Sequence, residues 1–224
     1  MEGKRNLNRQ TTTAAVASQL RGEITRGELQ PGTWLRQGQV AERFGVSTTP
    51  VREAFALLQV EGLVRVDPHR GVVVSHVSEE DLRETYAIRE VLEAMAMRRA
   101  IPRLTPAILD ELKALIAEMS DQKGGDEWVE LNNRFHTVLV QTSGLPRLNS
   151  IIASLRDASS PYIHAYAEKG VTARAEAEHR EILDACRARD SRRAVRAVKA
   201  HLRHSADAAA AELHRSSVSI AANA

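Results

Sequence analysis

The chain has 224 residues, room for one domain or two, and its 43% hydrophobic and 27% charged side chains are those of an ordinary globular protein. Aromatics are only 4%, which favours helix over a β-sandwich, and a single cysteine, Cys186, excludes a disulfide framework or a thiolate-rich zinc site. The net charge of +2 hides a split: residues 1–77 carry 10 basic and 7 acidic side chains, residues 78–224 carry 21 and 22.

Residues 1–12 are polar and are expected to form a disordered arm. The first helix is expected from about Ala14 to Gly27, with Val16, Leu20 and Ile24 at helical spacing and Pro31-Gly32 beyond its end. A short helix follows over Gln37 to Phe44. A third starts at Ser47, an N-cap residue, with Pro50 in its first turn, and ends near Gly62. Two β-prone stretches, Leu63 to Val66 and Val72 to Val74, flank the turn-rich tip Asp67-Pro68-His69-Arg70-Gly71. Beyond Ser78 the pattern is helical. Ser78 and Asp81 make a capping box for a helix over about Glu79 to Ala100. Five more helices are expected over 106–121, 127–142, 147–167 (with a break near Pro161), 172–189 and 191–214.

The expected fold is mainly α: a winged helix-turn-helix at 13–77, then an all-α antiparallel six-helix bundle at 78–214, with a flexible tail at 215–224. No apolar run reaches the roughly 18–20 residues of a membrane span. Met1 to Thr13 has no apolar core of a secretory signal. A cytoplasmic protein is expected.

In Val40-Ala41-Glu42-Arg43-Phe44-Gly45-Val46-Ser47, small Ala41 permits close helix packing, Gly45 can take the positive φ of a turn, and Val46 fills the shared core. Ser47 then caps the helix that would enter the major groove. Thr48, Thr49 and Arg52 are its outward polar residues, able to reach base edges or phosphates. Arg36 and Arg43 are further phosphate candidates. His69 and Arg70 lie at the wing tip, placed for a minor groove or a flanking phosphate.

With Gly45-Val46-Ser47-Thr48-Thr49-Pro50-Val51-Arg52-Glu53-Ala54, then Leu58, Glu61-Gly62-Leu63-Val64 and Arg70-Gly71, residues 14–76 resemble the DNA-binding domain of GntR-family bacterial transcription regulators. The family usually carries Arg where this chain has Thr48, and an acid where it has Gln37. That departure implies either a different operator sequence or more reliance on Arg52, Arg36 and the wing.

Six of the eight histidines fall in the bundle. Asn132 and His136 are one helical turn apart on one face. His179 lies about 11 residues before the Arg189-Asp190-Ser191 turn and His201 about 10 after it, so antiparallel helices bring them level. Three imidazoles and one oxygen suit zinc, nickel or another first-row divalent ion. Spacing alone equally allows singly hydrogen-bonded surface histidines, the reading kept for His204 and His214, and for His164, although an inward-turned His164 could reach the same cavity. Arg89, among Ile88, Val91 and Leu92, can grip a carboxylate or pair with Glu93 at i+4.

Residues 79–214 resemble the helical ligand-binding (FCD) domain of the FadR subfamily, in a VanR-like six-helix branch. The match rests on Tyr86 to Glu93, on Asn132-Asn133-Arg134-Phe135-His136, on Glu178-His179 and on Ala200-His201-Leu202. The resemblance implies a divalent metal, zinc or nickel, at His136, His179 and His201, with Asn132 at the usual aspartate position. It also implies a small organic acid beside the metal, on Arg89. Leu145 stands where the family often has Asn.

The expected function is a DNA-binding regulator, a repressor, that presents two winged domains of a homodimer to a palindromic operator and answers a small carboxylate. The helix from Ser78 follows the wing directly and is a natural lever. The rivals are a metal-dependent hydrolase-like enzyme and a constitutive DNA-binding dimer without effector. Glu178 is a poor base for the former, being rotated about 100° from His179 on its helix.

Overall fold

A computed structural model describes residues 7–67, 70–75, 78–122, 124–167 and 172–222, with the side chains of 7–11, 161, 165–166 and 216–222 outside the description. The chain separates into two compact units, Met1–His76 and Val77–Ala224.

In the first unit α1 (Leu7–Thr25), α2 (Gln37–Phe44) and α3 (Thr48–Val60) pack against a three-stranded antiparallel sheet. The stripe Val16, Leu20, Ile24 of α1 closes on Val51, Phe55 and Leu58 of α3, with Val64, Val72 and Val74 completing the core. Burying each such side chain contributes about 1.5–3 kcal/mol. Gly45 sits at φ 63°, and Val46 N–H then donates back to Ala41 C=O at 2.9 Å, which ends α2 and turns the chain into α3. The wing is β2 (Val64–Asp67) paired with β3 (Gly71–Val74), Val66 opposite Val72. β1 (Trp34–Leu35) adds a third strand on the other edge of β3. Two residues are too short for a period-2 signal, so the sequence did not mark β1.

The second unit holds six α-helices among the described residues: α4 (Glu79–Ala100), α5 (Pro106–Asp121), α6 (Gly125–Thr142), α7 (Pro146–Ala167), α8 (Ala173–Arg187) and α9 (Ser191–Ala222). Ser78 and Asp81 form the capping box of α4, and Thr105 Oγ1 caps α5 by accepting from Ile108 N–H. A 3₁₀ turn (Ile101–Arg103) follows α4. Trp128, Phe135, Leu112, Leu115 and Ile182, all essentially inaccessible, fill the centre. Arg189 takes a left-handed φ of 55° in the tight link from α8 to α9. Its guanidinium donates to Ile101 C=O and Leu104 C=O, 2.7 Å each, so the strained residue also satisfies carbonyls freed where α4 ends.

Four boundaries differ from the sequence reading. Helix α1 begins at Leu7, inside the expected disordered arm 1–12, because no Gly or Pro interrupts 7–13. Helix α6 starts at Gly125, two residues early. Helix α7 runs through position 161 without the expected break. Helix α9 continues to Ala222 across most of the expected flexible tail 215–224, again with no breaker in its sequence.

Candidate metal centre and nucleic-acid interface

The N-terminus of α3 is the DNA-reading candidate. Ser47 is its N-cap by backbone (φ −72°, ψ 164°), but its side chain makes no capping bond, which leaves the hydroxyl for a phosphate or base. Thr48 and Arg52 are exposed and Thr49 is half-buried, while Pro50 and Val51 point into the core. Arg36 is exposed ahead of α2. Arg43 is exposed but engaged: it donates to Glu23 at 2.7 Å and lies over the Phe44 ring at 4.5 Å. Arg70 is exposed, and its backbone N–H donates to Asp67 at 2.9 Å, which shapes the wing tip. His69 lies outside the described residues. Arg65, exposed on β2, adds a wing cation that the apolar strand pattern had hidden.

In the bundle, α6, α8 and α9 bring His136, His179 and His201 together, all buried. His136 Nε2 lies 3.3 Å from His179 Nε2 and 3.1 Å from His201 Nε2. Asn132, also buried, precedes His136 by one turn on the same face of α6. Behind His201, Nδ1 donates to Glu178 Oε2 at 2.9 Å, and the other oxygen, Oε1, accepts from His204 Nδ1. Burial, the largest single effect, opposes charge on Glu178, but the hydrogen bond and charge interaction from His201, together with hydrogen bonds from His204 and Arg174, outweigh it and hold the carboxyl below its usual range. Burial first, then the neighbouring imidazoles and Arg156 and Arg89, push His136 well below the ordinary histidine value. Burial and His201 do the same to His179. Both rings are therefore neutral at pH 7, the form that ligates.

The donor set fits a divalent cation. With Nδ1 donating to a carboxylate, a neutral His201 ring has its lone pair on Nε2. His136 Nε2 carries either one proton or one lone pair, which cannot make a good hydrogen bond to both neighbours, so at least one of the two N···N contacts is left unsatisfied. A shared cation removes that conflict. The Nε2 atoms of a tetrahedral zinc site lie about 3.3 Å apart, given Zn–N of about 2.0–2.1 Å, and the two separations from His136, 3.3 and 3.1 Å, are close to that. Nδ1 of His179 is buried and has no partner among the described residues. It is the ring's remaining N–H if Nε2 ligates.

Beside this cluster lies a buried charge group. Arg89 and Glu93 on α4 pair at 2.9 Å with side chains 4% and 3% exposed. Arg89 also donates to Ser159 and stacks over Tyr86 at 4.7 Å. Burial works most strongly against the charge of Arg89, yet Glu93 and Tyr86 together more than compensate and its pKa is raised. Among the described residues Arg156, on α7, donates to neutral oxygens: Thr137 Oγ1 at 3.0 Å, Asn133 C=O at 2.6 Å and Asn133 Oδ1 at 3.1 Å. Burial, with repulsion from Arg89, brings it down to about 10 despite Glu93 nearby. Two buried guanidiniums thus share one buried carboxylate, while half-buried Asp157 adds a weaker attraction on Arg156, so the fully buried charges are two positive to one negative. The cavity between Glu93, Met97, His136 and Val198 is about 10 Å³, space for roughly one water. A cleft of about 330 Å³ between α6 and α7 reaches Arg156 from outside.

The structure therefore brings the three histidines together and forms the Arg89–Glu93 pair that the sequence had weighed against a ligand contact. Arg156 had gone unnoticed. Its signal was position, four residues after Ile152 and three before Ser159 on the inward face of α7. His164 pairs with Asp126 at 3.0 Å, and His214 is exposed. Cys186 is buried and its thiol is pushed up to about 12, which makes it inert.

A winged helix-turn-helix followed by a six-helix bundle with an internal histidine cluster defines a DNA-binding transcription regulator, and comparison with known proteins agrees. Residues 12–74 match the family described as bacterial regulatory proteins, gntR family, and residues 84–204 match the FCD domain. The regulator YdhC of Bacillus subtilis is 30% identical over 196 residues, covering 84% of this chain and 86% of that one. McbR of Escherichia coli is 32% identical over 167 residues, covering 73% and 76%. Its solved structure superposes with a TM-score of 0.78 at 27% identity, covering 92% of this chain and 98% of that one. The repressor GlaR of Escherichia coli is 30% identical over 198 residues, covering 82% and 89%. The chain belongs to the GntR family of transcription regulators and carries an FCD domain. No helix among the described residues is long and apolar enough to cross a membrane.

Proposed function

We propose that this protein is a cytoplasmic, metal-assisted, acid-responsive repressor. The observation that carries the reading is the convergence of three buried imidazole nitrogens beside an excess of buried positive charge. His136, His179 and His201 would hold a zinc or nickel ion, with the Asn132 amide oxygen in the fourth protein position. Asn brings no charge, so the centre keeps one more positive charge than an aspartate site and draws an anion more strongly. A bound metal would supply a Lewis-acidic anchor for the acid's carboxylate.

The chain's own residues do the rest. Arg156, which has no ion pair among the described residues, attracts the carboxylate through the α6/α7 cleft, and Arg89 receives it when its contact with Glu93 loosens. A cavity of about 10 Å³ cannot hold an organic acid, so binding requires side chains around Arg89 and Glu93 to move. A ligand that favours that rearranged state shifts the population and with it operator affinity. Helix α4 carries Arg89 and is the next element after the wing, which makes it the natural lever.

On DNA, Ser47, Thr48, Thr49 and Arg52 would enter the major groove. Arg36, Arg43, His69 and Arg70 would hold phosphates or the flanking groove. A palindromic operator is read by a homodimer. Ile88, Val91 and Met95, exposed along one stripe of α4, offer an apolar face for a second copy.

Metal analysis of the purified chain and an operator-shift assay against a panel of small carboxylic acids, with and without chelator, test this reading. One metal per chain and an acid whose effect vanishes with chelator are expected. A metal-free protein with unaltered operator binding across the panel would leave a constitutive DNA-binding dimer instead.

A further inference from the structure

Glu178 is adjacent to His179 in sequence, but its side chain turns away from that histidine's ligand face and crosses from α8 to α9. There it meets His201 and His204, three apart and so on one face of the helix. The two carboxylate oxygens have separate tasks. Oε2 accepts from His201 Nδ1 at 2.9 Å, while Oε1 accepts from His204 Nδ1 and from Arg174 Nε, the latter at 3.0 Å. The carboxylate is therefore anchored from the far side and presents one oxygen to the ring that matters.

Resting on the metal reading above, we propose that Glu178 is the positioning residue of the centre: it locks His201 in the Nδ1–H tautomer with Nε2 turned toward His136 and His179, and so sets how tightly a divalent cation is held. An imidazole left to itself can place its proton on either nitrogen and can rotate. A ring with Nε2–H cannot ligate through that atom. A carboxylate on Nδ1 removes both alternatives before the cation arrives and makes Nε2 a stronger donor. His179 has no such partner, since its Nδ1 is bare of hydrogen bonds among the described residues. Pre-organisation of the cluster thus rests on His201, and through it on Glu178. Its place on Nδ1, behind the ring, also removes Glu178 as a ligand or as a base at the centre.

The alternative role for the same contacts is a plain staple between α8 and α9, and the test separates the two. Full-length protein stripped of metal is titrated with Zn²⁺ against a chromophoric chelator, while ¹⁵N-histidine spectra read the tautomer of His201 in the metal-free state. Glu178→Ala should weaken Zn²⁺ binding roughly 10- to 100-fold and move His201 away from the pure Nδ1–H form. Glu178→Gln keeps an acceptor without the charge and should recover most of the tautomer preference with a smaller loss, about three- to tenfold. It also serves if the alanine variant folds poorly. His204→Ala should stay within about threefold of wild type, because Oε2 remains on His201. Equal losses in Glu178→Ala and His204→Ala, with His201 unchanged in tautomer, would identify a staple and overturn the proposal. Tight wild-type binding that Glu178→Ala leaves unaltered would overturn it as well, with the metal reading intact. No Zn²⁺ uptake by the wild type would overturn the metal reading and this proposal together.

Discussion

Replacing Glu93 by Gln tests the buried charge group that the effector reading depends on. Among the described residues Glu93 is the fully buried carboxylate beside two buried guanidiniums: it pairs with Arg89 at 2.9 Å and attracts Arg156 more strongly than half-buried Asp157 does. Its side chain is 3% exposed and that of Arg89 4%, so solvent screens little of this interaction. Removing one partner of such a pair costs about 3–5 kcal/mol, most of it from the charge left stranded. At about 2–4 °C per kcal/mol for a domain of this size, the bundle's midpoint should fall by roughly 6–20 °C. Arg89→Met is the informative control. It leaves Glu93 with Arg156, one charge of each sign, and should cost clearly less than Glu93→Gln. Thermal or urea unfolding followed by fluorescence reports on the bundle alone if Trp34 is replaced by Phe, since the remaining tryptophan, Trp128, lies fully buried there. If Arg89→Met destabilises as much as Glu93→Gln, Glu93 does not serve both cations and the excess positive charge assigned to Arg156 is wrong.

Acidification should weaken the metal-free protein in a defined window. His136 and His179 are held well below 6.5 when folded and return to about 6.5 when unfolded. Below that pH the unfolded chain takes up more protons, so their stabilising contribution is complete above about 6.5 and drains as pH falls toward the folded values. The slope is up to about 1.4 kcal/mol per pH unit for each histidine. Urea midpoints between pH 7.5 and 5 should show it, and a His136→Gln, His179→Gln variant should lose it; an equally steep fall in that variant would assign the slope elsewhere. Gly45→Ala should cost about 1–2 kcal/mol, since at φ 63° a Cβ meets no atom within 4 Å and the penalty is backbone conformation alone. A neutral unfolding midpoint would contradict that. Arg52→Ala should weaken operator binding about 5- to 150-fold and lower the salt slope by about 1. Arg43→Ala should do less, because Arg43 is already committed to Glu23. Equal losses in quantitative shift assays would show that the Glu23 contact gives way on DNA.

Local chemistry was enough to mark the helix-turn-helix. Gly45, Val46 and Ser47 act through the backbone of their own turn, and the stripe Val16, Leu20, Ile24 through helical period, so each carries its signal within a few residues. The capping box at Ser78 is legible for the same reason. In the bundle, period and the short α8–α9 link sufficed to bring His179 and His201 level. What period could not show was the back side of the site. Glu178 looked idle because 100° of rotation separates it from His179 on α8, yet that rotation is what carries it to His201 on the neighbouring helix.

The sequence by itself determined the two-unit plan, the helix-turn-helix that puts Ser47 to Arg52 at the start of α3, and the level placement of His179 and His201, because these depend on spacing along one or two elements; His136, on a third helix, joined them only through the family resemblance. The tertiary structure decided the electrostatics. Whether Arg89 is free or paired, which of two guanidiniums lacks a carboxylate, and which nitrogen of His201 carries the proton depend on α4, α6, α7, α8 and α9 meeting in one buried volume. Charges and protons answer to everything within a few ångströms, whatever its distance along the chain.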